Sequence, residues 1–372
     1  MTPNQMRAAR VHDTGEPMVI ENVDVPASVR PTDVLVKIEA CGIVQNLKNV
    51  LKNFDEMAPD LPLPKLPAIF GLDAAGTIET VGSQVTAFAP GDRVYVNPGR
   101  HCGACRACMR GDFVACDSFA LNGYFGLGKK SQRMFEDYPY GGLCEYMTAP
   151  QYSLVRLPST ISFETATRLG YLGTAYRALV RAAAGPGKTV LINGITGTLG
   201  LGAVALALAM GATKILGTAR NEDLFARVKA LSSPGRIEIL ASGSEKLANW
   251  VDRVTDGHGL DIAVDALGPN APSEPMREAI DCLNRGGCLV DIGAVTEDIP
   301  INMFRVMSND VTLIGSSWFT TPLAQQMVDM TATGQLDLSF YEHLVSPLEA
   351  INEAIEDTDN RSGGFSNYVI KM

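Results

Sequence analysis

The chain has 372 residues, of which 46% are apolar and 19% charged, so it is long enough to bury the cores of two domains. Its formal net charge of −10 disfavours nucleic acid or an anionic membrane surface as a partner. Residues 1–30 lack the continuous apolar core of a signal peptide, and the longest apolar stretch, 199–212, is too short to span a bilayer. We therefore expect a cytoplasmic protein.

The N-terminal third has the pattern of short β-strands. Strands are predicted at 6–11, 18–23 and 34–40, where the last segment, VLVKIEA, alternates between two faces. Four prolines between positions 59 and 67 exclude a helix and predict a rigid loop. The strand pattern resumes from 69 to 96, so this part is expected to be an all-β unit.

A cluster of cysteines follows this unit, in a lobe that we place at 97–119. The spacing C-x2-C-x2-C-x7-C is typical of one tetrahedral zinc ion held by four thiolates, here Cys102, Cys105, Cys108 and Cys116. Since protein would fill all four coordination positions, this zinc is predicted to be structural. Disulfides or a redox pair are the alternative, and His101 is interpreted as a bystander.

From residue 165 onward, helices and strands alternate. Helices are predicted at 166–184, 201–210, 224–231, 244–255 and 275–283, and strands at 189–192, 214–219, 237–241, 260–266, 287–293 and 311–315. Six strands with crossover helices predict a doubly wound parallel sheet. The C-terminal segment, with helices at 322–333 and 348–357 and a strand at 368–371, is expected to return to the first domain.

The strand at 189–192 leads into a glycine-rich turn. Gly194, Gly197 and Gly200 are spaced three apart, directly before an apolar helix, and such a turn lets the backbone and the helix N-terminus approach a pyrophosphate. After the next strand, Arg220 stands where an NAD site has a carboxylate, and this favours NADP(H) over NAD(H). The alternatives are a plain tight turn and a solvated surface arginine.

Several segments carry a family resemblance. These are the β-rich unit and cysteine lobe, then GGLCEYM at 141–147, TAYRAL at 174–179, VLINGITGTLG at 190–200 and RGGCLVDIGA at 285–294. Together they resemble the medium-chain dehydrogenase/reductase family, closest to its zinc-type alcohol dehydrogenase branch, over essentially the whole chain.

The resemblance implies an α/β protein with two domains. A GroES-like catalytic domain would span 1–160 and include 317–372, and a Rossmann domain would span 161–316. It further implies NAD(P)-dependent hydride transfer in the cleft and a homodimer or homotetramer. The predicted cofactor-binding residues are Thr174, Gly194, Gly197, Thr198, Leu199, Gly200, Thr218, Arg220, Asn221, Ala266, Leu267 and Gly293.

The chain departs from this family at the positions of the catalytic zinc ligands. The motif CGxCxTDxH is here CGIVQNL, with Val44 at the position of the first ligand. The motif GHE is here Gly71-Leu72-Asp73, with Leu72 at the position of the second ligand, the histidine. The third ligand aligns with Gly170. None of these three positions offers a zinc ligand, so we expect one structural zinc and no catalytic zinc. Cys41 could be a stand-in ligand or an inert buried thiol.

Without this Lewis acid, hydride addition to an already activated acceptor is the easier reaction. The leading hypothesis is an NADPH-dependent reductase of enones or quinones; the alternatives are a metal-free carbonyl or imine reductase or alcohol dehydrogenase, and a non-catalytic NADPH-binding protein. The substrate is expected to be a small apolar or aromatic carbonyl compound. Candidate aromatic or apolar neighbours of the cleft are Phe70, Leu72, Tyr124, Phe125, Trp318 and Phe319, and candidate catalytic residues are Gln45, Asn46, Asp73 and Tyr171.

Overall fold

The N-terminal part of the protein is built mainly of short strands. The computed structural model describes residues 2–372, with every side chain in that range except those of residues 55–57. The strands of this part are β1 (Gln5–Val11), β2 (Val19–Asp24), β3 (Asp33–Gly42), β4 (Ala68–Ile69), β5 (Asp73–Val81), β6 (Arg93–Val96), β7 (Gly99–Arg100), β8 (Ala120–Leu121), β9 (Tyr146–Pro150) and β10 (Leu154–Arg156). Its helices are α1 (Leu47–Met57), α2 (Arg106–Met109), α3 (Gln132–Asp137) and α4 (Phe163–Ala166).

A six-stranded sheet forms the second half. Its strands are β11 (Thr189–Asn193), β12 (Lys214–Ala219), β13 (Ile237–Ala241), β14 (Leu260–Asp265), β15 (Leu283–Asp291) and β16 (Thr312–Gly315). Its helices are α5 (Leu169–Arg181), α6 (Thr198–Ala209), α7 (Phe225–Lys229), α8 (Leu247–Val254), α9 (Glu274–Asp281) and α10 (Met303–Ser308). The strand order is β13-β12-β11-β14-β15-β16, and all neighbours are parallel. This order confirms the predicted Rossmann fold.

The C-terminal segment returns to the N-terminal sheet. It contains α11 (Thr321–Ala332), β17 (Glu342–Pro347), α12 (Ile351–Asp357) and β18 (Ser366–Lys371). The larger N-terminal sheet has the order β10-β6-β5-β3-β18-β17, with β9 also paired to β3, and β2-β1-β4 form a smaller sheet. Both ends of the chain therefore build the β-rich unit, and α5, packed on α6 and α11, connects it to the Rossmann sheet. The predicted boundaries at 160 and 316 stay predictions.

Several predicted elements need correction. The helix predicted at 166–184 is shorter and begins at Leu169, because Ala166 ends the short helix α4 and the chain turns at Thr167 and Arg168; it ends at Arg181. The helix predicted from 244 begins at Leu247, since residues 242–244 form a turn on β13. Helix α1 was not predicted, although its buried residues Leu47, Val50, Leu51 and Phe54 have helical spacing.

Within residues 2–372, no helix combines the length and the apolarity needed to cross a membrane.

Candidate active site

The glycine turn after β11 forms the cofactor end of the site. Gly194 has φ +78°, in the left-handed region that favours glycine, and its N–H donates to the carbonyl of Thr218 at 2.9 Å. A Cβ atom on Gly200 would lie 2.1 Å from the carbonyl oxygen of Gly194, so the turn packs too tightly for a side chain there. Helix α6 starts without a side-chain cap or an acidic residue in its first turn. Its positive end and unpaired N–H groups suit a pyrophosphate.

The other predicted cofactor residues lie at the carboxyl ends of neighbouring strands. Ala266 and Leu267 follow β14, and Gly293 follows β15, where a Cβ atom on Gly293 would lie 2.2 Å from the carbonyl oxygen of Leu267. Three predicted hydroxyls already have protein partners. Thr174 donates to the carbonyl of Gly170 and Thr218 to Asn193 Oδ1, each at 3.0 Å, and Thr198 donates to Gln45 Oε1.

Arg220 and Asn221 follow β12, where the ribose of a dinucleotide lies in a Rossmann fold. The Asn221 Oδ1 atom accepts a hydrogen bond from the Asp223 N–H at 3.2 Å, so this side chain caps the local turn. Arg220 is exposed and forms no ion pair or hydrogen bond with any described residue. Its guanidinium is therefore free for an anionic group at this strand end.

A buried network that we did not predict joins three strand ends. Asn193, the last residue of β11, donates to Asp265 Oδ1 at 2.9 Å and accepts from Thr218 Oγ1 at 3.0 Å. Burial raises the pKa of Asp265 to about 6, against the effect of the Asn193 hydrogen bond. The signal in the sequence was a polar residue that closes an apolar strand directly before the glycine turn.

The four predicted zinc ligands come together in the lobe after β7. The Sγ atoms of Cys102, Cys105, Cys108 and Cys116 all lie within 4.8 Å of one another, and the pairs Cys105–Cys108 and Cys102–Cys116 are 3.6 Å apart. Zinc with Zn–S bonds of about 2.3 Å separates its sulfurs by roughly 3.8 Å. The residues therefore fit a tetrahedral zinc ion with no open position. His101 Nδ1 lies 3.9 Å from Cys108 Sγ, outside the quartet.

The positions of the family's catalytic ligands form a different environment. Val44 and Leu72 are buried apolar side chains, 6% and 5% exposed. At Gly170, a Cβ atom would lie 2.2 Å from Asp73 Oδ1, so the Asp73 carboxyl group occupies the space of a side chain at 170. Among the described side chains, only the cysteine quartet brings three or more His, Cys, Asp or Glu ligands together.

Asp73 is buried between Gly170 and Tyr95. It is 1% exposed and accepts a hydrogen bond from the Tyr95 hydroxyl at 2.7 Å. Burial raises its pKa to about 7, although the Tyr95 hydrogen bond, the charge of Arg168 and the Gly170 N–H oppose this shift. Cys41 is fully buried nearby, and burial raises the pKa of its thiol well above the ordinary value. Among the described side chains, Cys41 belongs to no group of three or more possible metal ligands.

Gln45 and Tyr171 are in direct contact, and Asn46 is the next residue along the chain. The Gln45 N–H donates to Tyr171 Oη at 2.9 Å, and Gln45 Oε1 accepts from Thr198 Oγ1, at the start of α6, at 2.5 Å. Because the Tyr171 oxygen is an acceptor here and donates to no described residue, its proton is free for another partner. Asn46 Oδ1 accepts from the Asn49 side chain at 3.0 Å.

Two further donors near this point are buried without a partner in the described part of the chain. They are Gln45 Nε2 and the hydroxyl of Tyr124, whose pKa is raised by burial and lowered by the Asn46 side chain beside it. Buried polar groups normally have partners, so these two atoms mark a place with unused hydrogen-bonding capacity. Of the predicted cleft aromatics, Phe70 and Phe319 are 0% and 1% exposed and belong to the core, whereas Phe125 is partly exposed and packs against Tyr124 with the two rings tilted by 37°.

A β-rich unit built from both chain ends, joined to a Rossmann sheet with an uncapped glycine turn, defines a dinucleotide-binding two-domain protein. Residues 30–159 match the model of the alcohol dehydrogenase GroES-like domain, and residues 198–333 match that of the zinc-binding dehydrogenases. An alcohol dehydrogenase of Geobacillus stearothermophilus is 32% identical over 94% of this chain and 95% of its own length.

The quinone oxidoreductase of Homo sapiens is 26% identical over 99% of this chain and 98% of its own length. Among solved structures, the alcohol dehydrogenase TADH from Thermus sp. ATN1 has a TM-score of 0.84 at 23% identity, covering 98% of this chain and 99% of that one. The chain belongs to the medium-chain dehydrogenase/reductase family and is an oxidoreductase of this type.

Proposed function

We propose that the protein is an NADPH-dependent reductase that transfers hydride to an enone or a quinone without a catalytic zinc ion. One observation carries the proposal. At the three family ligand positions the chain has Val44, Leu72 and Gly170, and the Asp73 carboxyl group fills the space beside Gly170. Among the described side chains this site has no set of three ligands for a Lewis acid, so it suits an acceptor whose conjugation already spreads the developing charge.

The hydrogen-bond donors around Tyr171 supply the remaining activation. The Tyr171 hydroxyl has its oxygen held by the Gln45 N–H and its proton free, so it can donate to the oxygen of the acceptor. Gln45 Nε2 and Tyr124 Oη are further donors without partners among the described residues. Donors fixed in advance in an apolar pocket stabilise developing negative charge without reorganisation.

Asp73 has a different role in this proposal. It is buried and bonded to Tyr95, so it supports the pocket from behind and does not touch the acceptor. Asn46 lies at the start of α1, next to Gln45, and we assign it a contact with the substrate. Leu72, Phe125 and Trp318 would line the apolar part of a pocket for a small apolar or aromatic carbonyl compound.

The cofactor in this proposal is NADP(H). Its pyrophosphate would be held by the turn at 194–200, and the 2′-phosphate by Arg220, whose planar guanidinium matches phosphate oxygens. When bound, NADPH supplies the hydride for the reduction. The exposed, unpaired state of Arg220 among the described residues supports this assignment.

A second candidate is a metal-free carbonyl or imine reductase or alcohol dehydrogenase acting through the same donors. The alcohol dehydrogenase relative at 32% identity favours it. It differs from the first candidate in the bond that is reduced, C=O or C=N in place of C=C.

Three acceptors separate these functions. Purified protein with NADPH is given cyclohex-2-enone, cyclohexanone and 1,4-naphthoquinone, NADPH absorbance is followed against a protein-free control, and the products are identified. We expect steady consumption with the enone or the quinone, reduction of the C=C bond of the enone, and none with cyclohexanone. Turnover of cyclohexanone alone would support the second candidate, and no turnover with any acceptor would leave a non-catalytic NADPH-binding protein.

We also propose that the protein lies in the cytoplasm, since zinc-binding thiolates require reducing surroundings. We further propose that it is a homodimer or homotetramer. Three large apolar side chains of α10, Met303, Phe304 and Met307, are 64%, 72% and 66% exposed, and β16 is the edge strand of the nearby sheet. A second copy of this chain would cover such an apolar face and pair with the free edge. Phe304→Asp should lower the mass measured by light scattering, whereas Met109→Asp, equally exposed in the cysteine lobe, should not.

A further inference from the structure

A single buried arginine connects the cofactor turn to the proposed proton donor. Arg168 is 2% exposed and lies between α4 and α5. It forms no ion pair with any described residue, and its Nε atom has no hydrogen-bond partner among them. Burying a guanidinium without an ion-pair partner costs free energy of folding. The contacts that Arg168 does make therefore carry a structural role.

The first contact is with the C-terminal strap, which we define as residues 361–366. Arg168 Nη2 donates to the carbonyl oxygens of Gly364 and Ser366, each at 3.0 Å. These two hydrogen bonds anchor the strap to the N-terminal end of α5.

The strap in turn lies directly on the glycine turn of the cofactor site. The Gly364 N–H donates to the carbonyl of Thr196 at 2.8 Å. A Cβ atom on Gly364 would lie 2.4 Å from the carbonyl oxygen of Gly197, so the two segments touch backbone to backbone. Any displacement of the strap therefore moves or uncovers the residues that precede α6.

The second contact is with two tyrosine rings. The Arg168 guanidinium carbon lies 5.1 Å from the ring centroid of Tyr171 and 5.0 Å from that of Tyr341, within the range of cation–π attraction. The Tyr171 ring therefore rests on a fixed cation, while its hydroxyl is held by Gln45.

We propose that Arg168 is a positioning residue that couples the two halves of the site: it holds the strap against the cofactor turn and holds the Tyr171 ring in place for the acceptor. The part that concerns Tyr171 rests on the proposed function. The part that concerns the turn requires only that the protein binds a dinucleotide.

The test compares Arg168→Met and Arg168→Lys with wild type and with Arg181→Met. Arg181 is the matched control, because it lies at the opposite end of α5 and also donates to a backbone carbonyl, that of Gly315, but is exposed and contacts neither strap nor ring. Three quantities are measured: exchange of the Gly364 amide without cofactor, the Kd for NADPH from its fluorescence without acceptor, and kcat with an acceptor that wild type reduces.

In Arg168→Met, amide exchange at Gly364 should become about tenfold faster and the Kd for NADPH should rise about tenfold, as expected for loss of hydrogen bonds from a charged group, and kcat should fall. Arg168→Lys should recover exchange and Kd, because an ammonium can still donate to the strap, but not kcat, because it does not stack as a plane between two rings. The control should match wild type in all three.

Wild-type exchange and Kd in a folded Arg168→Met protein would overturn the proposal, and so would full recovery of kcat by lysine. If Arg168→Met does not fold, Gly364→Ala tests the same coupling from the strap side, since its Cβ would displace the strap from Gly197. It should raise the Kd and lower kcat together, and an unchanged Kd would overturn the proposal. If wild type reduces no acceptor, the proposed function fails, while exchange and Kd still decide whether the strap is clamped.

Discussion

The cysteine lobe and the pocket around Asp73 are the two places where the zinc-type branch of this family would hold a metal ion, and they have diverged in this chain. The lobe keeps four thiolates on one short segment, with sulfurs at zinc-compatible distances. The pocket draws its positions from three distant segments, and these carry Val44, Leu72 and Gly170. In this chain the ligand set of the lobe is therefore complete, whereas that of the pocket is not.

The pocket has not become a plain apolar core. A buried carboxyl group, Asp73, is bonded to Tyr95 and abuts Gly170, and several donors nearby have no partner among the described residues. An enzyme that had lost all function would be expected to fill such positions with hydrocarbon, since unpartnered buried polar groups are costly. We therefore expect substitutions in the lobe to lower the stability of the protein and substitutions in the pocket to lower its activity.

The largest effect is expected from breaking the lobe. Cys105→Ser should reduce the zinc content from one ion per chain to none and lower the free energy of unfolding by about 5 kcal/mol or more, because binding of a structural zinc is coupled to folding. Metal analysis and thermal unfolding measure this. Cys282→Ser is the control and should keep one zinc ion. Two ions per wild-type chain would contradict the division between lobe and pocket.

In the pocket, the sharpest test is Tyr171→Phe. Removing a proton donor should lower kcat about 100-fold, with little change in the Kd for NADPH. Tyr176→Phe serves as control, because it removes a hydroxyl on the same helix that donates to Gln326. An unchanged kcat in Tyr171→Phe would remove this residue from the mechanism.

The proposed cofactor is NADPH, and the proposed contact of Arg220 with its 2′-phosphate can be tested. Arg220→Ala should raise the KM for NADPH about tenfold, because a charge-assisted contact to the 2′-phosphate is lost, and leave the KM for NADH unchanged. Arg253→Ala, which removes an arginine paired with Glu245, should change neither. Equal effects on both cofactors would argue against a 2′-phosphate contact.

The most gradual effect concerns the buried Asp73. Burial raises its pKa to about 7, so the folded state keeps this proton to higher pH than the unfolded chain, where aspartate titrates near 3.9. The group therefore stabilises the fold fully below about pH 4 and loses this contribution as pH rises through about 7. Relative to Asp73→Asn, the wild-type free energy of unfolding should fall by about 1 kcal/mol per pH unit in this window.

Urea unfolding at several pH values measures this difference, with the exposed Asp13→Asn as control. A wild-type curve parallel to that of Asp73→Asn would show that the carboxyl group is ionised in both states.

The sequence by itself determined the architecture and the zinc lobe. Apolar strands, the glycine spacing at 194–200 and the cysteine spacing at 102–116 are local signals, because each depends on residues close together in the chain. The replacement of ligands by Val44 and Leu72 was readable for the same reason, once a family pattern was available for comparison.

Only the tertiary structure decided how the pocket is arranged. That Asp73 fills the space beside Gly170, that Gln45 joins Tyr171 to Thr198, and that Arg168 reaches the strap near the C-terminus are contacts between segments far apart in sequence. Burial, pKa and unpartnered donors arise from such packing. No local pattern encodes them, because the partners are chosen by the fold and not by neighbours in the chain.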